Sequence, residues 1–504
     1  MMHHSRRTFQ RGTLVVVFVT IAIIAQAQEM WGIATSNFAG SSGIMLNPCA
    51  ISTSKLYMDI NILTADVFFE NNYAYIHNED YSLFKYIGKS PQFPEYGPDS
   101  LPVDHYDGTN DKYIYSSQLV IGPSFMLAYG RHAFAFHTGA RAITSAHGIP
   151  YAMANFGYYG LDYAPQHNVD YHNQNFGVSS LVMAEVGLTY SFSFRKISNQ
   201  DWTAGFTIKR MFSPAGGYSY ANDINYIVVN DSTINIKNLN AEMGYSLPAD
   251  YDTPLDDPVN GFPVWDPPIK GGGFGFDVGF TFQNKVLSYQ KKRVSRMCSQ
   301  RYIDYYYKIG VSLLDIGFVN FNKNAQLQSF EDVSEYWIGI DTLNFYTFNQ
   351  LRRTLSDVFY GDPEASNVAD EFRIFLPAAF SIQGDYRISK KFYAAAVIIQ
   401  PFPISRSYIR RPAQIVLVPR YESPKMEFAL PLSLYDYKYP RIGASARYQI
   451  ITLGTDDLLG LLGITDFTGL DFYFSLKINF RKGNCGRYKR NVPCENEEYG
   501  IRHR

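Results

Sequence analysis

Four acids and four bases in this chain recur where alternate residues are small or polar: Asp59, Glu185, Asp277 and Asp471 against Arg141, Lys209, Lys308 and Lys477. Charges on one inward face must be hydrated or paired, because desolvating a lone one is expensive. A water-filled lumen would hydrate them and a filled lumen would pair them, and both readings stand on the sequence. Patterns for catalysis are incomplete. Gly443-Ala444-Ser445-Ala446-Arg447 approaches a nucleophile elbow but lacks the final glycine and lies in a strand pattern. Gly88-Lys89-Ser90 ends like a phosphate-binding loop, with Leu83 where the first glycine belongs. Asp107, Thr109 and Asp111 could touch calcium without forming a whole ligand loop. The histidines show no metal spacing, and His137 reads as a hydrogen-bonded inward residue. No catalytic residue, cofactor site or metal site is expected, and the chain is not expected to be an enzyme.

The elements that must position these charges are strands. Over 470–480, Leu470, Phe472, Phe474, Leu476, Ile478 and Phe480 alternate with Asp471, Tyr473, Ser475, Lys477 and Asn479. A side-chain period of two puts the first set on one face and the second on the other. About 9–11 residues of such a strand, tilted, cross a bilayer. The same alternation recurs. Phe134 and Phe136 oppose His137 and Arg141; Val186 and Leu188 oppose Glu185; Phe206 and Ile208 oppose Lys209. Phe276 and Val278 flank Asp277, Met58 and Ile60 flank Asp59, and Tyr305, Tyr307 and Ile309 oppose Lys308. The fold expected is all-β, a transmembrane antiparallel β-barrel of about 14 strands with long extracellular loops. Short connections fall near 130–132, 196–201 and 387–391, and long ones over 70–117, 145–177, 213–272 and 315–370. Trp265-Asp266-Pro267-Pro268 marks a turn inside the third long connection. Over 401–468 the simplest assignment leaves the last strand running the wrong way, so one strand there is missed or split.

Both ends of the chain agree with export. Arg6, Arg7 and Arg11 precede an apolar run over 14–24, and Ala25-Gln26-Ala27 supplies a cleavage site. This predicts a signal peptide over 1–27 and a barrel over 28–480 in the bacterial outer membrane. Aromatics make up 16% of the chain and charged residues only 18%, which fits interfacial aromatic girdles. Losing the three leader arginines takes the formal net charge from −1 to about −4, no basis for nucleic-acid binding. Residues 481–504 form a basic periplasmic tail, read either as a solvated end or as a peg for a partner. Cys485 and Cys494 could bridge in an oxidising compartment, and no C-x-x-C motif occurs.

Several pieces resemble a family of outer-membrane barrels of unknown function common in the Bacteroidetes. They are Ser42-Gly43-Ile44-Met45-Leu46-Asn47-Pro48-Cys49-Ala50, Val311-Ser312-Leu313-Leu314-Asp315-Ile316-Gly317-Phe318-Val319, Leu376-Pro377 with Gly384-Asp385-Tyr386, and Leu453-Gly454-Thr455-Asp456-Asp457-Leu458 before Gly469-Leu470-Asp471-Phe472-Tyr473. More distantly, Asn47-Pro48-Cys49-Ala50 is similar to a segment near the N-terminus of long-chain fatty-acid transporters and of barrel proteins of type IX secretion, with Cys49 where alanine is usual. The resemblance implies a 14-stranded barrel with an N-terminal plug over 28–55 that includes Asn47 and Pro48; alone, Asn47-Pro48 also reads as an ordinary turn. Two functions follow as expectations. One is passage of a small or hydrophobic solute across the outer membrane, with membrane lipids and a hydrophobic small molecule as partners. The other is a structural subunit of an outer-membrane protein complex, with outer-membrane or periplasmic protein partners.

Overall fold

Alternation between apolar and polar residues closes into a wall. The computed structural model describes residues 30–80, 103–197, 199–254, 269–286, 304–342 and 345–481. The expected leader over 1–27, Gly88-Lys89-Ser90, the Trp265 turn, Cys298, Cys485, Cys494 and the tail beyond Arg481 lie outside the described residues.

Fourteen antiparallel wall strands follow one another in chain order. They are β1 (Met58–Asn71), β2 (Lys112–Ile121 with Ser124–Tyr129), β3 (His132–Ile149), β4 (Tyr171–Ile197), β5 (Gln200–Asn230), β6 (Gly271–Lys285) and β7 (Tyr305–Phe321). Then come β8 (Phe372–Phe375 with Ala379–Arg387), β9 (Phe392–Pro401), β10 (Gln414–Glu422), β11 (Met426–Ala429 with Leu432–Tyr435), β12 (Tyr439–Ile442 with Ala444–Tyr448), β13 (Ile451–Thr455) and β14 (Gly469–Phe480). The barrel closes where β14 meets β1, Met58 opposite Phe480 and Glu70 opposite Gly469. The stretch over 401–468 escapes a simple reading because its strands are short and interrupted. Pro431 has no N–H for the ladder and splits β11; its carbonyl instead accepts from Gly443 N, at the break in β12, at 2.7 Å. With β13 counted, the last strand runs back to the end of the barrel where β1 begins. That end, which also holds the short turns, is here the terminal end, and the opposite one the loop end.

The outward face is an apolar belt. On β6 it is Phe274, Phe276, Val278, Phe280 and Phe282, in a strand that rises roughly 3.4 Å per residue. That length, tilted, spans a hydrocarbon core. Tyr129, Phe194, Trp202, Tyr307, Tyr386, Phe392 and Tyr448 ring the terminal end, an aromatic girdle that suits a membrane–water boundary. Among the described residues no helix is long and apolar enough to cross a membrane. Tyr305 departs from the expected outward row. A bulge opposite Lys285 turns it inward, where it is fully buried.

The long connections carry secondary structure of their own. β5 continues past the belt, and the strand Thr233–Ser246 folds back along its outer half, Tyr218 opposite Gly244. The strand Ala325–Ile338 pairs with that hairpin in turn. Asn, Asp and Gly made this region look like loop; one face still buries Ala221, Ile224, Tyr226 and Val228 against Met153 and Phe156, but register shifts around Asn222–Asn225 break the alternation. The helix Phe348–Tyr360 leans on it, started by Thr347, whose side chain accepts from Gln350 N, and stopped by Gly361 at φ 67°.

Glu364 ties down this helix. Arg352 donates to its carboxylate at 2.9 Å and Arg353 at 2.9 Å. The hydrogen bond from Arg352, and then that from Arg353, hold the carboxyl down at about 2. An ordinary glutamate titrates near roughly 4.3, so this tie is complete above that pH and is lost as pH falls through the lower value. Amide protection in 348–360, taken relative to the intrinsic exchange rate at each pH, is therefore expected to stay constant from about pH 7 to about pH 5 and to fall only toward about pH 2. In Glu364→Gln that acid step should vanish; an acid step unchanged in the variant rules the tie out.

Candidate functional site

The residues before β1 lie inside the wall. Residues 30–56 are rich in Gly, Ala and Ser, and fold into three short turns: Trp31–Ala34, Gly40–Met45 and Ala50–Thr53. Their hydrogen bonds reach strands all around the barrel. Trp31 N donates to Asp456 Oδ2 at 3.1 Å, and its indole donates to Gln414 at 3.2 Å. Asn37 donates to Glu422, and Tyr305 donates to Asn37, at 3.0 and 2.9 Å. Ser41 donates through N and Oγ to Asp59 at 3.0 and 2.9 Å.

Asn47 and Pro48 occupy a notch made of wall glycines. Asn47 Nδ2 donates to Gln383 Oε1 at 2.9 Å, and Asn47 Oδ1 accepts from Cys49 N at 2.9 Å, an Asx turn that launches the turn Ala50–Thr53. Gly279 on β6 lies opposite Gly205 on β5. A Cβ at Gly279 would stand 2.9 Å from Asn47 Cγ and Pro48 Cδ, and one at Gly205 would stand 3.1 Å from the Pro48 carbonyl carbon. Cys49 beyond it is fully buried, its thiol 3.4 Å from Thr203 O.

Most of the lumen charges are paired. Arg141 holds Glu185 at 2.6 Å and Asp315 at 3.0 Å, while Lys209 holds Asp277 at 2.8 Å and Asp315 at 2.7 Å. These five residues stand on five neighbouring strands, β3 to β7. Asp315 enters through a bulge at φ 51°, opposite Asp277, and its N donates to Asp277 at 2.7 Å. Toward the terminal end, Lys308 lies 3.3 Å from Asp385, Arg420 bridges Asp385 and Glu422 at 2.6 and 2.7 Å, and Lys55 of the inner segment meets Glu422 at 2.7 Å. Lys477 pairs with Asp59 at 3.2 Å and Arg447 with Glu427 at 3.1 Å. Near the loop end Arg441 pairs with Glu70, and Asp471 accepts from Asp456 N, beside Asp66.

The eight charges singled out from the sequence thus fall into separate groups. Arg141, Glu185, Lys209 and Asp277 meet; Asp59 meets Lys477; Lys308 and Asp471 join partners the alternation did not reveal. Asp315 was missed because a bulge breaks the period, with the strand running on through what read as a connection. Arg420, Glu422, Glu427 and Arg447 alternate regularly, but in the fragmented stretch. Asp107 accepts from Tyr151 at 2.9 Å in the loop region, and among the described residues no group of three or more His, Cys, Asp or Glu is placed to hold a metal.

Above the charges the lumen turns apolar. Phe68, Tyr115, Tyr218, Phe321, Phe372 and Tyr435, with Ile143, Met183 and Met211 beneath, pack across the loop half of the barrel. Phe68 and Tyr435 stack at 5.5 Å, Phe321 and Phe372 at 5.0 Å. Ile409, from the connection before β10, is buried among them. A gap beside the inner segment, walled by Gly32, Phe38, Arg447 and Lys477, leaves about 20 Å³, on the order of one water.

The family described as one of unknown function, DUF5723, matches residues 48–456. A search of curated proteins found no match. Among solved structures, the chain is similar to the toluene transporter TbuX of Ralstonia pickettii, at 10% identity, 88% of this chain, 94% of that one and a TM-score of 0.38. It is similar to a FadL homologue of Pseudomonas aeruginosa at 8% identity, 89% and 97% coverage and a TM-score of 0.24. It is similar to the translocator domain of autotransporter NalP from Neisseria meningitidis at 8% identity, 90% and 100% coverage and a TM-score of 0.30.

Proposed function

The chain belongs to the family of unknown function DUF5723, and from that premise we propose that it is an outer-membrane barrel that admits a small hydrophobic solute from the loop side. Residues 1–27 direct export, 28–480 form the barrel, and 481–504 trail into the periplasm. The inner segment is the plug, set at the terminal half of the lumen. The observation that carries this reading is the apolar layer at the loop half. A general porin has a polar, water-filled lumen. Here the layer a solute from the loop side would have to enter holds Phe68, Tyr115 and Tyr435, packed under the partly buried Tyr113 and Tyr439, an environment that favours apolar surface by roughly 25 cal/mol per Å² buried. The ion-paired floor beneath favours no apolar cargo, so onward movement needs the plug to shift.

The test is direct binding. The hydrophobic fluorophore 1-aminoanthracene, titrated against the purified barrel, is expected to bind saturably. The pair Phe321→Ser and Phe372→Ser should weaken it tenfold or more. Binding that never saturates, or that ignores the pair, removes the reading.

A second reading, a structural subunit of an outer-membrane complex, is favoured by the hairpins beyond the belt. β5 is 31 residues long, about three times what a crossing needs. Removing residues 216–246 without losing any stoichiometric companion of the native protein would take away that support.

A further inference from the structure

The outward face of β5–β8 ends, at the loop end of the belt, in two arginines set among aromatic rings. Pairing places Arg210, Phe274, Phe318 and Phe375 in one row across the four strands. The next row up is Phe212, Gly272, Asn320 and Arg373. Arg210 lies over the Phe274 ring at 4.5 Å and the Phe212 ring at 5.4 Å, and Arg373 lies over Phe318 at 4.4 Å. Both arginines are exposed. Among the described residues neither meets a carboxylate; Arg210 donates to Gly273 O at 3.3 Å and Arg373 to Asn320 at 3.4 Å.

Two exposed guanidiniums held against aromatic rings at the lipid boundary, with no carboxylate of the described residues beside them, call for an anion from outside the chain. Stacking on aromatic faces fixes each guanidinium while leaving donors free for phosphate oxygens, which it grips in a fork. Below them, Ile208, Phe276 and Val278 continue the apolar surface on which acyl chains would lie. Three inter-strand steps of roughly 4.8 Å separate the two positions, on the order of 15 Å, too far for one phosphate.

We propose that this rim binds a lipid of the loop-side leaflet carrying two phosphates on its headgroup, one at Arg210 and one at Arg373. The proposal rests on the reading of the chain as an outer-membrane barrel with its loops outside.

Native mass spectrometry of the whole protein in mild detergent tests it, with bisphosphorylated lipid A as the probe. The expected result is retained one-to-one adducts, reduced at least tenfold both with the dephosphorylated lipid and in the double variant Arg210→Gln, Arg373→Gln. Heat-modifiable migration on gels shows that the variant barrel is folded. Equal retention of the dephosphorylated lipid, of phosphatidylglycerol, or by a folded double variant overturns the proposal. If the protein inserts into vesicles yet retains no lipid A, the barrel reading stands and this site falls; if it does not insert, both fall.

Discussion

Gly279→Val is expected to unseat the inner segment. The notch has no slack: the first added carbon already meets Asn47 and Pro48, and Gly205 closes the opposite side. Valine suits a strand, so the wall itself has no reason to fail. The displaced group is then the segment, which is held by hydrogen bonds and short turns rather than by a ladder. Cys49 gives the readout. In a background with Cys298, Cys485 and Cys494 changed to serine, maleimide should label Cys49 at least tenfold faster in the variant. Planar bilayers should also show conductance steps that the parent lacks. Gly384→Val is the control, because a Cβ there meets only Ala396 O, at 4.0 Å. A protected Cys49 together with silent bilayers would show that the notch does not seat the segment.

Arg141→Gln should be the most destabilising single change in the lumen. It leaves Glu185 without its guanidinium and gives Asp315 only Lys209, so three buried carboxylates face one ammonium. Breaking a buried pair in this way costs about 3–5 kcal/mol, most of it the stranded charge. Urea unfolding in lipid vesicles should show the loss. Adding Glu185→Gln should restore part of it, since one stranded carboxylate disappears, whereas Arg141→Lys should fall between, keeping charge without the fork. A single variant within about 0.5 kcal/mol of the parent would mean that the network is hydrated rather than paired.

Period two made most of the wall legible. Arg141, Glu185, Lys209 and Asp277 could be placed on one face from their neighbours alone, since a strand offers only two directions. Their partners could not be. Which inward charge meets which depends on strand order, shear and bulges, and the Asp315 bulge changes the parity of its own strand. Tyr305 was misread for a related reason, a bulge at the first residue of β7. The stretch from β10 to β13 hides its strand count because Pro431 and Gly443 cut β11 and β12 into pieces of four or five residues, too short to be told apart as strands. The apolar layer was invisible, because inward apolar residues near the loop end look like ordinary strand residues until closure brings eight strands' worth together. The positions of Asn47 and Pro48 could be marked, but not the glycine notch, whose two sides lie far apart in sequence.

The seam between β1 and β14 joins residues at opposite ends of the barrel sequence, and the inner segment is continuous with β1. The ring is therefore a container whose contents enter from its own first residues. Lengthening such a closure adds only about 0.6 kcal/mol per doubling, so the long span is not what makes the last step hard. Order is the constraint. Once the seam is zipped, the segment can leave only through the terminal end, and it cannot re-enter by any other path. A chain that closes empty, or around a misplaced segment, has to reopen the full seam ladder to correct itself. Whatever assists assembly has its last chance to inspect the cargo of the lumen before the final strand docks.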